Sequence, residues 1–237
     1  CLTPLISIFG GVAGDATITR ISEDEFWIVS SGAAERYQKR FFNSVSLPEN
    51  TSFHSRTSEM CGFNIAGPKS REILQRLSNQ DLSSKNWPFM RSGTLSIAGV
   101  SCLALRISFT GDLGWEIYCD TNKQKIVYET LVQEAVNEQG GPVGSRALMS
   151  LRIEKGYGSW SREYSPEIWP HECGLDKLCK LDKEFLNKAA LSKNIKNDPR
   201  ENLVLLHLNE DDCKVSNADA TGGEPIFKNG KGLGRVT

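Results

Sequence analysis

The chain has 237 residues, 39% hydrophobic and 24% charged, with 28 basic against 29 acidic side chains and a formal net charge of −1. This composition belongs to an ordinary globular protein rather than a disordered one, and near-neutrality excludes the basic field that nucleic acid or an anionic membrane surface would call for. No apolar run approaches the roughly 20 residues that span a bilayer, and the seven scattered cysteines contain no C-x-x-C pair, so no metal site is expected and reduced thiols are, several of them in the core.

Residues 12–20, V-A-G-D-A-T-I-T-R, alternate after Gly14 and send Asp15, Thr17 and Thr19 one way and Ala16 and Ile18 the other, as in a strand. The apolar run 26–30 lies between acidic residues and Ser-Ser-Gly and predicts a strand buried on both faces. A helix is read over 33–42. A strand over 63–66 leads into Gly67-Pro68, with Pro68 suited to the first turn of a helix ending at Leu77, whose apolar stripe is Ile73, Leu74 and Leu77. Segments 95–97 and 101–108 read as a strand pair joined by Ala98-Gly99-Val100.

Next comes I-S-F-T-G-D-L-G-W-E at 107–116, where apolar residues and glycines frame a few polar groups. Glycine lets backbone approach a ligand because it has no Cβ, and Asp112 and Glu116 stand on either side of Gly114. A strand over 114–119 puts Trp115 and Ile117 on one side and Glu116 and Tyr118 on the other. A carboxylate on the open side of an otherwise buried strand is a binding-site candidate. Asp120 or Thr121 caps a helix running to about Val136, with Val127, Tyr128, Leu131, Val132 and Ala135 on one side, and Gly140-Gly141-Pro142 ends it. A helix over 145–155 is stopped by Gly156 and Gly158. This order predicts an α+β class built on an antiparallel sheet with packed helices. A polar linker at 193–200 separates the first domain, 1–192, from a second, 201–237, in which 203–208 reads as a strand and Asn229-Gly230 as the turn of a hairpin. The absence of an initial Met and the extended pattern at the end suggest an internal piece of a longer polypeptide.

Several motifs then match a family: G-G-V-A-G-D-A-T-I-T-R (10–20), I-A-G-P-K-S-R-E-I-L (65–74), I-S-F-T-G-D-L-G-W-E-I-Y (107–118), S-R-A-L-M-S-L-R-I-E-K-G-Y-G-S-W-S-R-E-Y-S-P (145–166) and E-C-G-L-D-K-L (172–178). In order and at family-like spacing, they resemble the folate-binding, aminomethyltransferase-type domain of the glycine-cleavage T-protein. The likeness is greater to the version fused behind a flavin domain in dimethylglycine and sarcosine dehydrogenases. G-G-E-P-I-F-K-N-G-K-G-L-G-R-V-T (222–237) resembles the opening of that family's C-terminal barrel. The resemblance implies an upstream FAD domain, absent here, that oxidises an N-methyl amine to an iminium, while this domain captures the one-carbon unit on tetrahydrofolate as methylenetetrahydrofolate. It implies the mitochondrial matrix in a eukaryote or the cytoplasm in a bacterium, and no nucleic-acid or membrane partner. A stand-alone aminomethyltransferase acting on an aminomethyl donor, and a non-catalytic regulatory relative like the regulatory subunit of pyruvate dehydrogenase phosphatase, are the rival readings.

The site residues come from the same resemblance. Asp15 matches the family's catalytic aspartate, which orients the reacting nitrogen and stabilises positive charge; on spacing alone it could equally close a turn after Gly14. Glu116 matches the glutamate that accepts two parallel N–H donors from the pterin, against the alternative of a solvated strand residue. Phe109 stands where the family places a tyrosine near the folate, so stacking survives and a phenolic hydrogen bond does not. Arg146 would hold a carboxylate of the folate tail or an acidic neighbour, against an ordinary solvated arginine, and Tyr157 lies near the ligand pocket. Arg152 and Glu154 are read as structural.

Overall fold

β-Branched and small residues alternating over Val12–Arg20 make β2, the middle strand of a three-stranded antiparallel sheet between β1 (Leu2–Ile6) and β3 (Phe26–Ser30). This is seen in the computed structural model, which describes residues 1–209, 211, 214 and 220–237. The chain divides into two compact units, the first made of Cys1–Val45 with Gly158–Thr237 and the second of Ser46–Tyr157.

In the first unit, β3 is an edge strand rather than one buried on both faces. Phe26 is 55% and Ile28 38% exposed, because a strand with a single neighbour lacks the cover that a continuous apolar run implies. A single 3₁₀ turn, Gly32–Ala34, leads into α1 (Glu35–Asn43), which presses on β2 at Gly14. A Cβ there would run into Gln38 Nε2, so a larger residue would force the Gln38 side chain to move. Gln38 is buried and its Oε1 accepts from the Ser30 hydroxyl. Val12 packs with Tyr164, Cys173 and Leu175. The short helix α5 (Lys188–Asn194) is anchored through Asn187 and Asn194, which donate to the carbonyls of Ile6 and Phe9 at 2.7 Å each. Residues 203–208 form no strand. Val204 and Leu206 are exposed, and the Leu203 N–H donates to the Glu172 carbonyl at 2.9 Å instead of entering a ladder. β8 (Pro225–Lys228) and β9 (Lys231–Arg235) pair antiparallel about Asn229-Gly230 as a two-stranded hairpin, both turn residues having positive φ as a type I′ turn requires.

The second unit is built on a four-stranded antiparallel sheet ordered β4-β7-β6-β5, with β4 (Met60–Ala66), β5 (Ser92–Ile97), β6 (Val100–Leu105) and β7 (Gly114–Asp120). The β5–β6 turn is just Ala98-Gly99, both at positive φ, so Val100 pairs with Ile97 instead of joining the loop. Along β7, Trp115, Ile117 and Cys119 are buried while Glu116 and Tyr118 are not fully so, the alternation expected of a strand with one core face. α2 (Ser70–Leu77) and α3 (Gln124–Asn137) cover that core face with Leu74, Val127 and Leu131. Full burial of each such side chain stabilises by about 1.5–3 kcal/mol. Pro68 lies outside α2, in the turn before it, where the Ser70 hydroxyl bonds the carbonyls of Gly67 and Leu113 at 2.7 and 2.8 Å. Asp120 accepts from the Asn122 N–H at 2.8 Å and opens the 3₁₀ turn that leads into α3. Tyr128 is 45% exposed, off the buried α3 stripe. α4 (Ser145–Glu154) completes the unit.

Candidate functional site

In the first unit, β2 carries Asp15 opposite Pro4 of β1. The edge strand tolerates that proline, which has no N–H for the ladder. Asp15 is half-buried, and no cation pairs with it among the described residues. Burial raises its carboxyl above the ordinary aspartate range, and a backbone hydrogen bond offsets part of that rise. Nearby, the Tyr164 hydroxyl accepts from the Gly158 N–H at 3.3 Å. That phenol is pushed up to about 12, first by burial and further by neighbouring negative charge that includes Asp15.

In the second unit, Glu116 sits on the inner strand β7, level with Asn64 of β4 and Leu105 of β6. Tyr118, two residues on and therefore on the same face, donates to Glu116 Oε2 at 2.6 Å, the short distance of a charge-assisted bond. Burial raises the Glu116 carboxyl, and the Tyr118 bond pulls it part of the way back. Burial and the Glu116 charge raise the Tyr118 phenol in turn. A partly buried carboxylate with no cation beside it among the described residues is poised to accept N–H donors from a ligand.

Phe109, half-buried, lies in the loop between β6 and β7. The loop is closed by Gly111 N–H to the Ser108 carbonyl at 3.2 Å and by the Ser108 and Thr110 hydroxyls at 2.9 Å. The aliphatic stem of Lys155 lies across Gly111, where a Cβ would come within 2.7 Å of it, and its ammonium reaches Asp112 at 3.6 Å. Lys155 is the C-cap of α4, so this contact sets Phe109's loop beside the turn that carries Tyr157. α4 ends in a Schellman motif: the Gly156 N–H bonds the Ile153 carbonyl at 2.8 Å and the Tyr157 N–H bonds the Arg152 carbonyl at 3.0 Å, with Gly156 left-handed. That motif fixes the direction of Tyr157, 44% exposed, which the flanking glycines left open in the sequence. Arg152, buried, returns a bond to the Tyr157 carbonyl at 2.8 Å, the structural role expected of it.

Arg146 is exposed in the first turn of α4. It stands about 13 Å along the helix axis from Lys155, at ~1.5 Å per residue, so it is not part of the junction that joins Phe109's loop to Tyr157. No ion pair holds it among the described residues. Asp15 belongs to the first unit, and Phe109, Glu116, Arg146 and Tyr157 to the second.

Sequence reasoning missed Arg71 and Arg106. Their guanidiniums lie 5.1 and 4.7 Å from the Trp115 ring centroid, and burial lowers Arg106, with Arg71 adding repulsion. Nothing in the spacing of 71, 106 and 115 signals that cluster. A surface hollow lined by Ile126, Glu129, Thr130, Gln133 and Glu134 contains none of the candidate residues. Among the described residues no helix is long and apolar enough to cross a membrane, and no group of three or more His, Cys, Asp or Glu side chains is arranged to hold a metal ion.

Compared with known proteins, residues 1–183 match the model of the GCVT N-terminal domain. The chain is 31% identical over 232 residues to the mitochondrial dimethylglycine dehydrogenase of Rattus norvegicus, covering 96% of this chain and 26% of that protein. It is 28% identical over 236 residues to the aminomethyltransferase of Desulfitobacterium hafniense strain Y51, covering 99% of this chain and 62% of that protein. Among solved structures, the glycine cleavage system aminomethyltransferase T of Bartonella henselae shares the fold, with a TM-score of 0.65 at 20% identity over 84% of this chain and 54% of that one. The chain thus spans 26% of the length of the dimethylglycine dehydrogenases it matches.

Proposed function

This chain belongs to the GCVT N-terminal domain family, and we propose that it is the tetrahydrofolate-binding one-carbon transfer domain of an FAD-dependent N-methyl amine dehydrogenase of the dimethylglycine or sarcosine type. The observation that carries this reading is Glu116: a desolvated carboxylate, aligned by Tyr118 at 2.6 Å, on the strand where the family motif G-W-E puts its pterin ligand. Its acceptor-only oxygens fit the paired N–H edge of a pterin.

Tetrahydrofolate, when bound, supplies the nitrogens that accept the one-carbon unit. The chain's own residues hold and orient. Glu116 accepts the pterin N–H groups, and Phe109 offers an aromatic face to stack on. Tyr157 borders the same loop junction. Arg146, an exposed guanidinium, suits the carboxylates of a folate tail. Asp15, desolvated and without a cation, favours positive charge on the reacting amine and so stabilises the iminium delivered from an upstream flavin domain. The rate advantage is mainly proximity, since a folate held in place gives the iminium a partner other than water. The N-methyl amine, the FAD domain on the same polypeptide, a C-terminal barrel begun by β8 and β9, and a matrix or bacterial cytoplasmic address belong to this reading.

A stand-alone aminomethyltransferase is the second reading, favoured by the Desulfitobacterium relative that aligns over 99% of this chain. In the full-length protein, Asp15→Asn should leave amine oxidation close to its original rate and lower the methylenetetrahydrofolate formed per amine oxidised by roughly tenfold or more, the contribution of a positioned charge. Equal yields from the two proteins would overturn the role of Asp15, and a full-length protein without flavin or amine oxidation would favour the second reading.

A further inference from the structure

Three cysteines lie level across the second unit's sheet. Cys61 of β4 is directly opposite Cys119 of β7, and their Sγ atoms are 3.4 Å apart. On the other side of β7 the pairing of Leu103 with Tyr118 sets Cys102 of β6 level with Cys119. Cys102 and Cys119 are buried, whereas Cys61 is half-exposed on the edge strand. All three are free thiols.

We propose that Cys61 and Cys119 are a modification site, a cross-strand dithiol that peroxides convert reversibly to a disulfide. Directly opposed residues of antiparallel strands have Cα atoms about 4.5–5.5 Å apart, inside the roughly 4.4–6.8 Å range of disulfides. Bond closure therefore needs side-chain rotation and no movement of backbone. Solvent reaches Cys61 but not Cys119, which assigns their order of reaction. The Cys61 thiolate attacks one oxygen of hydrogen peroxide, forming an S–O bond as the O–O bond breaks, and the leaving hydroxide takes up a proton as water. Cys119 then attacks the sulfenic sulfur, forming the S–S bond, and the S–O bond breaks to release a second water. The two thiols lose two electrons and two protons, and the peroxide is reduced to two waters. Burial first, and then the shared hydrogen bond with Cys61, push the Cys119 thiol up to about 12, so Cys119 is suited to resolving and not to initiating. The bond closes a long loop, with 58 positions separating the two cysteines, and staples the edge strand to the strand that carries Glu116. Closing a long loop restricts the unfolded chain, so the oxidised protein should unfold at a higher temperature than the reduced one.

The test exposes the reduced 237-residue chain to hydrogen peroxide. Remaining thiols are then alkylated after unfolding, and a non-reducing digest is mapped by mass spectrometry. The expected result is a peptide pair joined through Cys61 and Cys119, with two alkylatable thiols lost per chain and both recovered with dithiothreitol. Cys61→Ser, checked for folding by circular dichroism, should keep Cys119 alkylatable after peroxide and lose the 1:1 binding of phenylarsine oxide that a close dithiol gives; Cys102→Ser should keep both the Cys61–Cys119 link after peroxide and the phenylarsine oxide binding before it. Separate alkylation of Cys61 and Cys119 after peroxide, over-oxidation of Cys61 without a link, or a Cys102–Cys119 link in place of the expected one would each overturn the proposal. The readout is thiol chemistry and does not depend on folate binding.

Discussion

At Glu116 the requirements of binding oppose those of stability. Its folded carboxyl lies above the ordinary range because of burial, so ionising it costs more in the folded protein than in the unfolded one. The stabilising contribution is complete below the unfolded glutamate value of about 4.3 and is lost as pH rises through the raised folded value. Glu116→Gln keeps an oxygen for the Tyr118 hydroxyl and removes the charge. It should therefore raise the melting temperature at pH 8 relative to the original protein, with the gain shrinking towards zero near pH 4; a variant less stable at pH 8 would mean that the charge is better solvated than its burial implies. Much at this scale was legible in the sequence. Period-two alternation alone put Glu116 and Tyr118 on one face. The Lys155–Asp112 contact was not, because it joins residues far apart in sequence through an approach over Gly111 that leaves no local pattern.

Helix ends show what local pattern can and cannot say. α4 and α3 finish with the same Schellman geometry but different residues at the left-handed position. α4 uses Gly156, φ +69°, and α3 uses Gln139, φ +62°, with the Gly140 N–H returning to the Ala135 carbonyl at 2.8 Å. A side chain in that conformation costs about 1 kcal/mol relative to glycine. Gln139→Gly should then stabilise by about 0.5–1 kcal/mol and Gly156→Ala destabilise by about 1 kcal/mol in urea unfolding, opposite signs from one geometry; shifts of the same sign would refute it. The sequence put the end of α3 at about Val136, and the helix stops at Asn137; what it could not show is the cap, since a glutamine takes the left-handed position that usually announces itself as glycine. β2 was legible to its last residue from alternation. β1 was not, because Pro4 reads against a strand unless its edge position is known. α5 spans seven residues, too few for periodicity to register. The run 203–208 has strand composition but finds no partner strand among the described residues, and without one its backbone makes no ladder.

Across the whole chain, the first unit is assembled from two separated stretches, Cys1–Val45 and Gly158–Thr237, and one buried charge ties the second of these to itself. Glu172, 5% exposed, receives the Arg200 guanidinium at 2.7 Å and the Arg200 N–H at 3.0 Å, while the guanidinium lies 4.0 Å from the Trp169 ring centroid. Burial would raise the Glu172 carboxyl, but these bonds and the Trp169 N–H outweigh it and hold it down at about 2. The resulting stability is present above the unfolded value of about 4.3 and is lost as pH falls through about 2. Arg200→Gln leaves that carboxylate without a cation. It should cost about 1–3 kcal/mol at pH 7, below the usual figure for a broken buried pair because Arg200 is itself half in water. Its urea midpoint should converge on that of the original protein near pH 2; a gap that stays constant with pH would show that packing on Trp169, not charge, is what the arginine supplies. The aminomethyltransferase fold and its motif order could be read from the sequence across these stretches, whereas this tie, set by tertiary packing, could not. We propose that this fold binds reduced folate through Glu116. Calorimetric titration of the 237-residue chain and its Glu116→Gln variant with tetrahydrofolate under anaerobic conditions tests this role. Saturable 1:1 binding by the original chain is expected, with an affinity roughly tenfold or more weaker in the variant because hydrogen bonds to a charged acceptor are lost; no binding, or equal affinity in the two proteins, would rule out Glu116 as the pterin ligand.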